Sequence, residues 1–144
     1  MAKTWKIAGM VFLLLAADAL NLGVFYMGNP AGLLHQLVTL GYTAAWVCFM
    51  SSSRTNRRCM GFALICSGLT ATTAALCLIV RAWGSSGLLL IPTLLCSALF
   101  MTPFYGLDAW LPGFDGYYVL LFFLDLIWLG CSLHLFRRAN QHLL

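Results

Sequence analysis

Five apolar runs of about 20 residues dominate this chain, and their length constrains its fold more than any other feature. About 20 apolar residues in a helix cross the roughly 30 Å hydrocarbon core of a bilayer. The runs lie at residues 7–27, 32–51, 59–80, 88–106 and 117–136. A membrane β-barrel would need alternating apolar and polar residues, which these runs lack. The sequence therefore predicts an all-α fold, a polytopic transmembrane helical bundle.

Composition agrees with this prediction. Of the 144 residues, 62% are hydrophobic and 8% are charged, whereas soluble domains carry about 25% charged residues. A soluble domain this small could not bury so much apolar side chain. We therefore expect one integral membrane domain over residues 1–144. The first run continues to Met27, longer than the apolar region of about 7–15 residues in a signal peptide, so we expect a retained span.

The run at 88–106 decides how the chain is threaded. It carries Pro92 and Pro103, which tend to kink a helix. If it crosses, five basic residues share the N-terminal side and three lie opposite; if it re-enters instead, the division is seven to one. Because its length suffices to span, we favour five crossings, with four spans plus a re-entrant segment as the alternative. The positive-inside rule favours a cytoplasmic N-terminus in a cell membrane.

The third run is rich in small residues. Gly61, Gly68 and Ala75 are seven residues apart and share one helix face. Such faces allow membrane helices to pack closely. We therefore expect this helix to be the most buried one and Leu78 to face lipid.

Two carboxyl groups lie inside apolar runs, at Asp18 and Asp125, with Asn21 on the same helix face as Asp18. A charged carboxylate at the bilayer centre costs at least about 2.5–3.5 kcal/mol, and no Lys or Arg lies at that depth in this chain. We expect both to face protein or a cavity. Three interpretations stay open: a proton or cation relay, a protonated structural acid, and contact with another subunit. The candidates for substrate or ion binding are Asp18, Asn21 and Asp125, together with His35 near the start of the second run.

The connection before the last run contains Asp108, Trp110 and Asp115. Trp and nearby Tyr residues suit the membrane interface. These three residues are candidates for contact with a partner or a lipid headgroup, and simple solvation of the two acids is the alternative.

Other chemistry has no support in the sequence. The six cysteines lack metal-ligand spacing, no cofactor is expected, and no phosphate-binding or hydrolase motif occurs. The basic residues flank apolar runs, which does not indicate nucleic-acid binding. We favour a small transporter, or the membrane-embedded subunit of a transport complex, whose carboxylates line a polar path. The alternative is an accessory, assembly, immunity or sensing protein, and a membrane enzyme is third. A chain this short is expected to form a homo-oligomer or join a larger membrane complex.

Overall fold

The protein is a bundle of helices. The computed structural model describes residues 4–83, 87–110 and 114–141, and side chains at all of these except 87–89, 114 and 115. The elements are α1 (Thr4–Met27), α2 (Leu33–Ser53), α3 (Arg57–Trp83), α4 (Gly87–Phe100), a 3-10 helix (Thr102–Ala109) and α5 (Phe114–Gln141). We call the 3-10 helix the elbow. Four helices, α1, α2, α3 and α5, are long and apolar enough to cross a membrane, which confirms the predicted fold class.

A tight turn joins α1 to α2 as a helical hairpin. Helix α1 ends at Met27, and Gly28 adopts a positive φ of 63°, a conformation that glycine reaches without strain. The backbone N–H of Asn29 then donates to the Val24 carbonyl at 3.2 Å, which satisfies a carbonyl at the helix end. Residues 28–32 therefore form the turn between α1 and α2.

Polar contacts join α2 to α3 and to the start of α1. The Asn56 side chain accepts a hydrogen bond from the Arg58 backbone N–H at 3.2 Å and so caps α3. The Lys6 ammonium donates to the Ser52 carbonyl at 3.0 Å. The start of α1, the end of α2 and the start of α3 therefore lie at one end of the bundle.

Helices α3 and α5 pack antiparallel along the predicted small-residue face. A Cβ added at Gly61 would lie 3.6 Å from the Phe136 ring, and one at Gly68 would lie 3.8 Å from Leu129. Helix α3 has the largest buried share of the four spans, as expected. The expectation for Leu78 is wrong: it is partly buried and packs against the core cluster around Phe25.

Helix α4 and the elbow form a re-entrant segment. With 14 residues, α4 is about 21 Å long and too short to cross, and the chain then bends by 80° into the elbow. Because α3 and α5 are antiparallel, α5 must begin at the end where α3 finishes. Tyr118 of α5 and Arg81 of α3 accordingly line one groove. The five-crossing threading is therefore wrong, and the alternative of four spans plus a re-entrant segment is the observed one.

Charge divides the two ends of this bundle unequally. We call one end the basic end, which among the described residues carries Lys6, Arg54, Arg57, Arg58, Arg137 and Arg138. The opposite end, where the elbow enters, carries Arg81 in the last turn of α3. The start of α1 and the end of α5 both lie at the basic end, because four crossings return the chain to its starting side.

Candidate functional site

Side chains from three spans bind the backbone of the elbow and of Met101, the residue just before it. The Asn21 amide donates to the Thr102 carbonyl at 3.0 Å, and Asn21 is 0% exposed. The Thr39 hydroxyl donates to the Pro103 carbonyl at 2.8 Å and accepts from the Gly106 N–H at 2.9 Å. From α5, the Tyr117 hydroxyl donates to the Met101 carbonyl at 2.7 Å. Irregular backbone can persist at membrane depth because such protein groups satisfy it.

His35 joins this network through Asn21, so the structure brings two predicted site residues together. His35 Nδ1 lies 2.9 Å from Asn21 Oδ1. Since the Asn21 amide nitrogen faces the elbow carbonyls, its oxygen faces the imidazole, and His35 Nδ1 must be the donor. These two residues therefore position the elbow, a role that the sequence did not suggest.

Gly106 allows the elbow to touch the start of α2. A Cβ at this position would overlap the His35 carbonyl and the Gln36 Cα. Trp110 lies just beyond the elbow, is 51% exposed and donates to the Gln36 side chain at 3.2 Å. Asp108 is partly buried. The prediction for Asp115 concerns a side chain outside the described part of the chain.

Asp125 is one of the two residues whose carboxyl groups we expected to face protein or a cavity, and it lines a cavity inside the bundle. The residue is only 4% exposed. The cavity has a volume of about 40 Å³. Its wall is mostly apolar and includes the aromatic residues Tyr42, Trp46 and Trp128, while Ser67, Thr70 and Ser132 add hydroxyl groups.

The polar atoms of this cavity offer acceptors to a ligand. Asp125 Oδ2 and the Ser132 hydroxyl are buried without a hydrogen-bond partner. The hydroxyls of Ser67 and Thr70 donate to carbonyls of their own helix, at 2.8 and 3.0 Å, which leaves their lone pairs available. One water needs about 10–15 Å³ and a few polar partners. The cavity is therefore large enough for water or for one compact cation.

Asp18 is buried elsewhere in the bundle. It is 7% exposed, and neither of its carboxyl oxygens has a hydrogen-bond partner. It does not line the cavity that Asp125 lines. The two acids therefore do not share this cavity.

Sequence reasoning missed several residues of this site, although their spacing carried a signal. Ser132 follows Asp125 by seven residues and therefore lies on the same helix face, and Thr39 follows His35 by four. Among the described residues, no group of three or more His, Cys, Asp or Glu side chains could hold a metal ion. The chain matches no protein-family model, no curated protein and no solved structure at a significant level.

Proposed function

We propose that this protein is a small transporter, or the membrane-embedded subunit of a transport complex, that exchanges a proton for a compact cation at Asp125. The observation that carries the proposal is the cavity itself, where Asp125 Oδ2 and the Ser132 hydroxyl are buried without a hydrogen-bond partner. A cavity of about 40 Å³ limits the cargo in this conformation to a proton, water or a compact cation.

The absence of a basic partner makes exchange the natural chemistry of this carboxyl. No Lys or Arg occurs between residues 7 and 53 or between 82 and 136. A bare carboxylate buried here would be strongly disfavoured, so Asp125 must carry either a proton or a bound cation. Those two states exclude one another, which is the requirement for coupling the movement of one to the other.

The surrounding groups suit the cation-bound state. Ser67, Thr70 and Ser132 line the same cavity as Asp125, and hard cations prefer oxygen ligands such as their hydroxyl groups. Aromatic faces at Tyr42, Trp46 and Trp128 also attract cations through their ring quadrupoles. Asp18, whose two carboxyl oxygens are buried without a hydrogen-bond partner, is proposed as a second proton-carrying group.

The charge asymmetry supports a cytoplasmic basic end. With the re-entrant segment in place, six described basic residues lie at that end, against Arg81 at the other. Positive residues concentrate in cytoplasmic segments of membrane proteins. The N-terminus is accordingly proposed to be cytoplasmic, and the elbow would then enter from the outer side.

Purified protein in lipid vesicles tests the exchange directly. A pH-sensitive dye inside the vesicles reports proton movement when a gradient of sodium, potassium or methylammonium is imposed. At least one gradient is expected to drive a pH change, and Asp125→Asn should reduce the rate to that of protein-free vesicles because Asn cannot exchange a proton. Asp108→Asn, outside the cavity, is the matched control and should retain the wild-type rate.

The same variants separate this function from the alternative of an accessory or sensing protein. If the carboxyls only stabilise the bundle or bind a partner, no gradient will move protons, and Asp125→Asn will change either nothing or the set of co-purifying proteins. Proton movement that is equal in wild type and Asp125→Asn would refute the role given to this residue.

A further inference from the structure

A groove between α2 and α5 opens sideways into the membrane at the basic end. We propose that it binds an anionic lipid, with an acyl chain lying in the groove and the headgroup phosphate at Arg54. The groove has a volume of about 390 Å³. Trp128 borders both this groove and the Asp125 cavity, but the proposal does not depend on exchange at Asp125.

The shape of the groove follows from where the two helices touch. The Trp46 and Trp128 rings meet edge to face, with centroids 6.3 Å apart. From that contact toward the basic end, the two helices leave a gap instead of packing together. On α2 the gap extends from Val47 to Arg54, about 10 Å at 1.5 Å per residue.

The walls of the groove are mostly apolar and open to lipid. Val47 and Ile127 are both more than half exposed, and Cys131 is exposed too. The apolar part of the lining comprises Val47, Met50, Ile127, Trp128, Cys131 and Leu135. An acyl chain that filled this gap would cover apolar surface without leaving a polar group unpaired.

The short length of the groove favours an acyl chain over a helix from a second copy. A helix that crosses the membrane is about 30 Å long, whereas the gap extends for only about 10 Å along α2. A helix from a second copy would therefore contact the groove over only about a third of its length.

Charge complementarity identifies the headgroup. The exposed Arg54 lines the groove where it reaches the basic end, and the chain has four acidic residues, all Asp. Asp18 and Asp125 are buried inside the bundle, while Asp108 belongs to the elbow and Asp115 to the first turn of α5, at the opposite end. Basic pockets between helices favour anionic headgroups, and a guanidinium binds phosphate through paired hydrogen bonds.

Thermal unfolding of the purified protein in detergent tests the proposal with phosphatidylglycerol and with phosphatidylcholine of the same chain length. Phosphatidylglycerol is expected to raise the unfolding midpoint at a lower lipid concentration than phosphatidylcholine does. Arg54→Gln should weaken its apparent affinity about fivefold, corresponding to the roughly 1 kcal/mol contributed by one basic residue near an anionic headgroup. Cys131→Trp, which fills the groove and keeps every charge, should abolish the midpoint shift.

Two variants guard against a trivial loss of folding. Cys48→Trp places the same side chain at another exposed cysteine, outside the groove, and should respond to lipid like the wild type. Cys131→Leu introduces a side chain that is larger than Cys but smaller than Trp, and it should weaken lipid binding without abolishing it. An unchanged response in both Cys131 variants would mean that the groove is not the site.

Three further results would overturn the proposal. Equal midpoint shifts with inorganic phosphate would mean that a free anion, not a lipid, binds at Arg54. Equal shifts with the two lipids would remove the role of charge. A change of oligomeric mass in Cys131→Trp, measured by light scattering, would show that a second copy occupies the groove.

Discussion

Thr39 connects α2 to the elbow in two directions with a single hydroxyl group. It donates to one elbow carbonyl and accepts from the Gly106 N–H, and it is 1% exposed. Removing the hydroxyl therefore leaves the Gly106 N–H and the Pro103 carbonyl without this partner. Leaving a buried polar group without a hydrogen bond costs more free energy than a typical hydrogen bond contributes.

We expect Thr39→Val to lower the free energy of unfolding by about 1–3 kcal/mol, since the Gly106 N–H loses its acceptor. Thr43→Val is the matched control, because the Thr43 hydroxyl bonds only to a carbonyl of its own helix at 2.8 Å. Thermal or denaturant unfolding in detergent measures both variants. Equal stability of the two would mean that Thr39 does not hold the elbow.

For individual residues, the sequence predicted which polar side chains are buried but not which groups they bond to. The burial of Asp18 and Asp125 followed from the cost of exposing a carboxylate to lipid. The role of Asn21 could not be predicted in the same way, because its acceptor at Thr102 is 81 residues away along the chain. Local spacing says which face a residue occupies, and it does not say which distant backbone will meet that face.

Among the elements, the α3–α5 pair is the most closely packed. Gly61 and Gly68 place the backbone of α3 against α5 side chains, and Arg57 lies 5.9 Å from the centroid of the Phe136 ring. The glycine spacing predicted this face correctly, because residues seven apart are about two turns apart on the same face of a helix, where small side chains allow close packing.

Gly68→Leu is expected to lower the free energy of unfolding by about 1–3 kcal/mol, since the added side chain meets Leu129 in a packed interface. Gly41→Leu provides the matched control: nothing lies within 4 Å of a Cβ at that position, which is exposed on α2. Unfolding in detergent measures the difference. A loss of stability in Gly41→Leu as large as in Gly68→Leu would contradict this account of α3.

For the re-entrant segment, the length of the apolar run alone predicted the wrong number of membrane crossings. Run 88–106 is long enough to cross as one helix, yet the chain bends after Phe100 and the elbow returns. The better signal was electrostatic, because only re-entry gathers the basic residues at one end. Pro103 lies at the start of the elbow, immediately after the bend, where a missing N–H costs least.

For the whole molecule, four crossings place residues 55 and 141 on the same side of the membrane. In a background without native cysteines, Thr55→Cys and Gln141→Cys should both resist an impermeant thiol reagent until the cells are permeabilised. Asn29→Cys, at the opposite end, should react in intact cells. Reaction of Thr55→Cys in intact cells would reverse the orientation, and opposite results at 55 and 141 would restore an odd number of crossings.

The hydrogen bonds of the elbow also bear on how the chain folds. They join it to Asn21 and Thr39, which precede it by 81 and 64 residues, and to Tyr117, which follows it. Such non-local contacts raise the contact order and form slowly. The α1–α2 hairpin can therefore assemble early during synthesis, whereas the elbow completes its contacts only once α5 has been made.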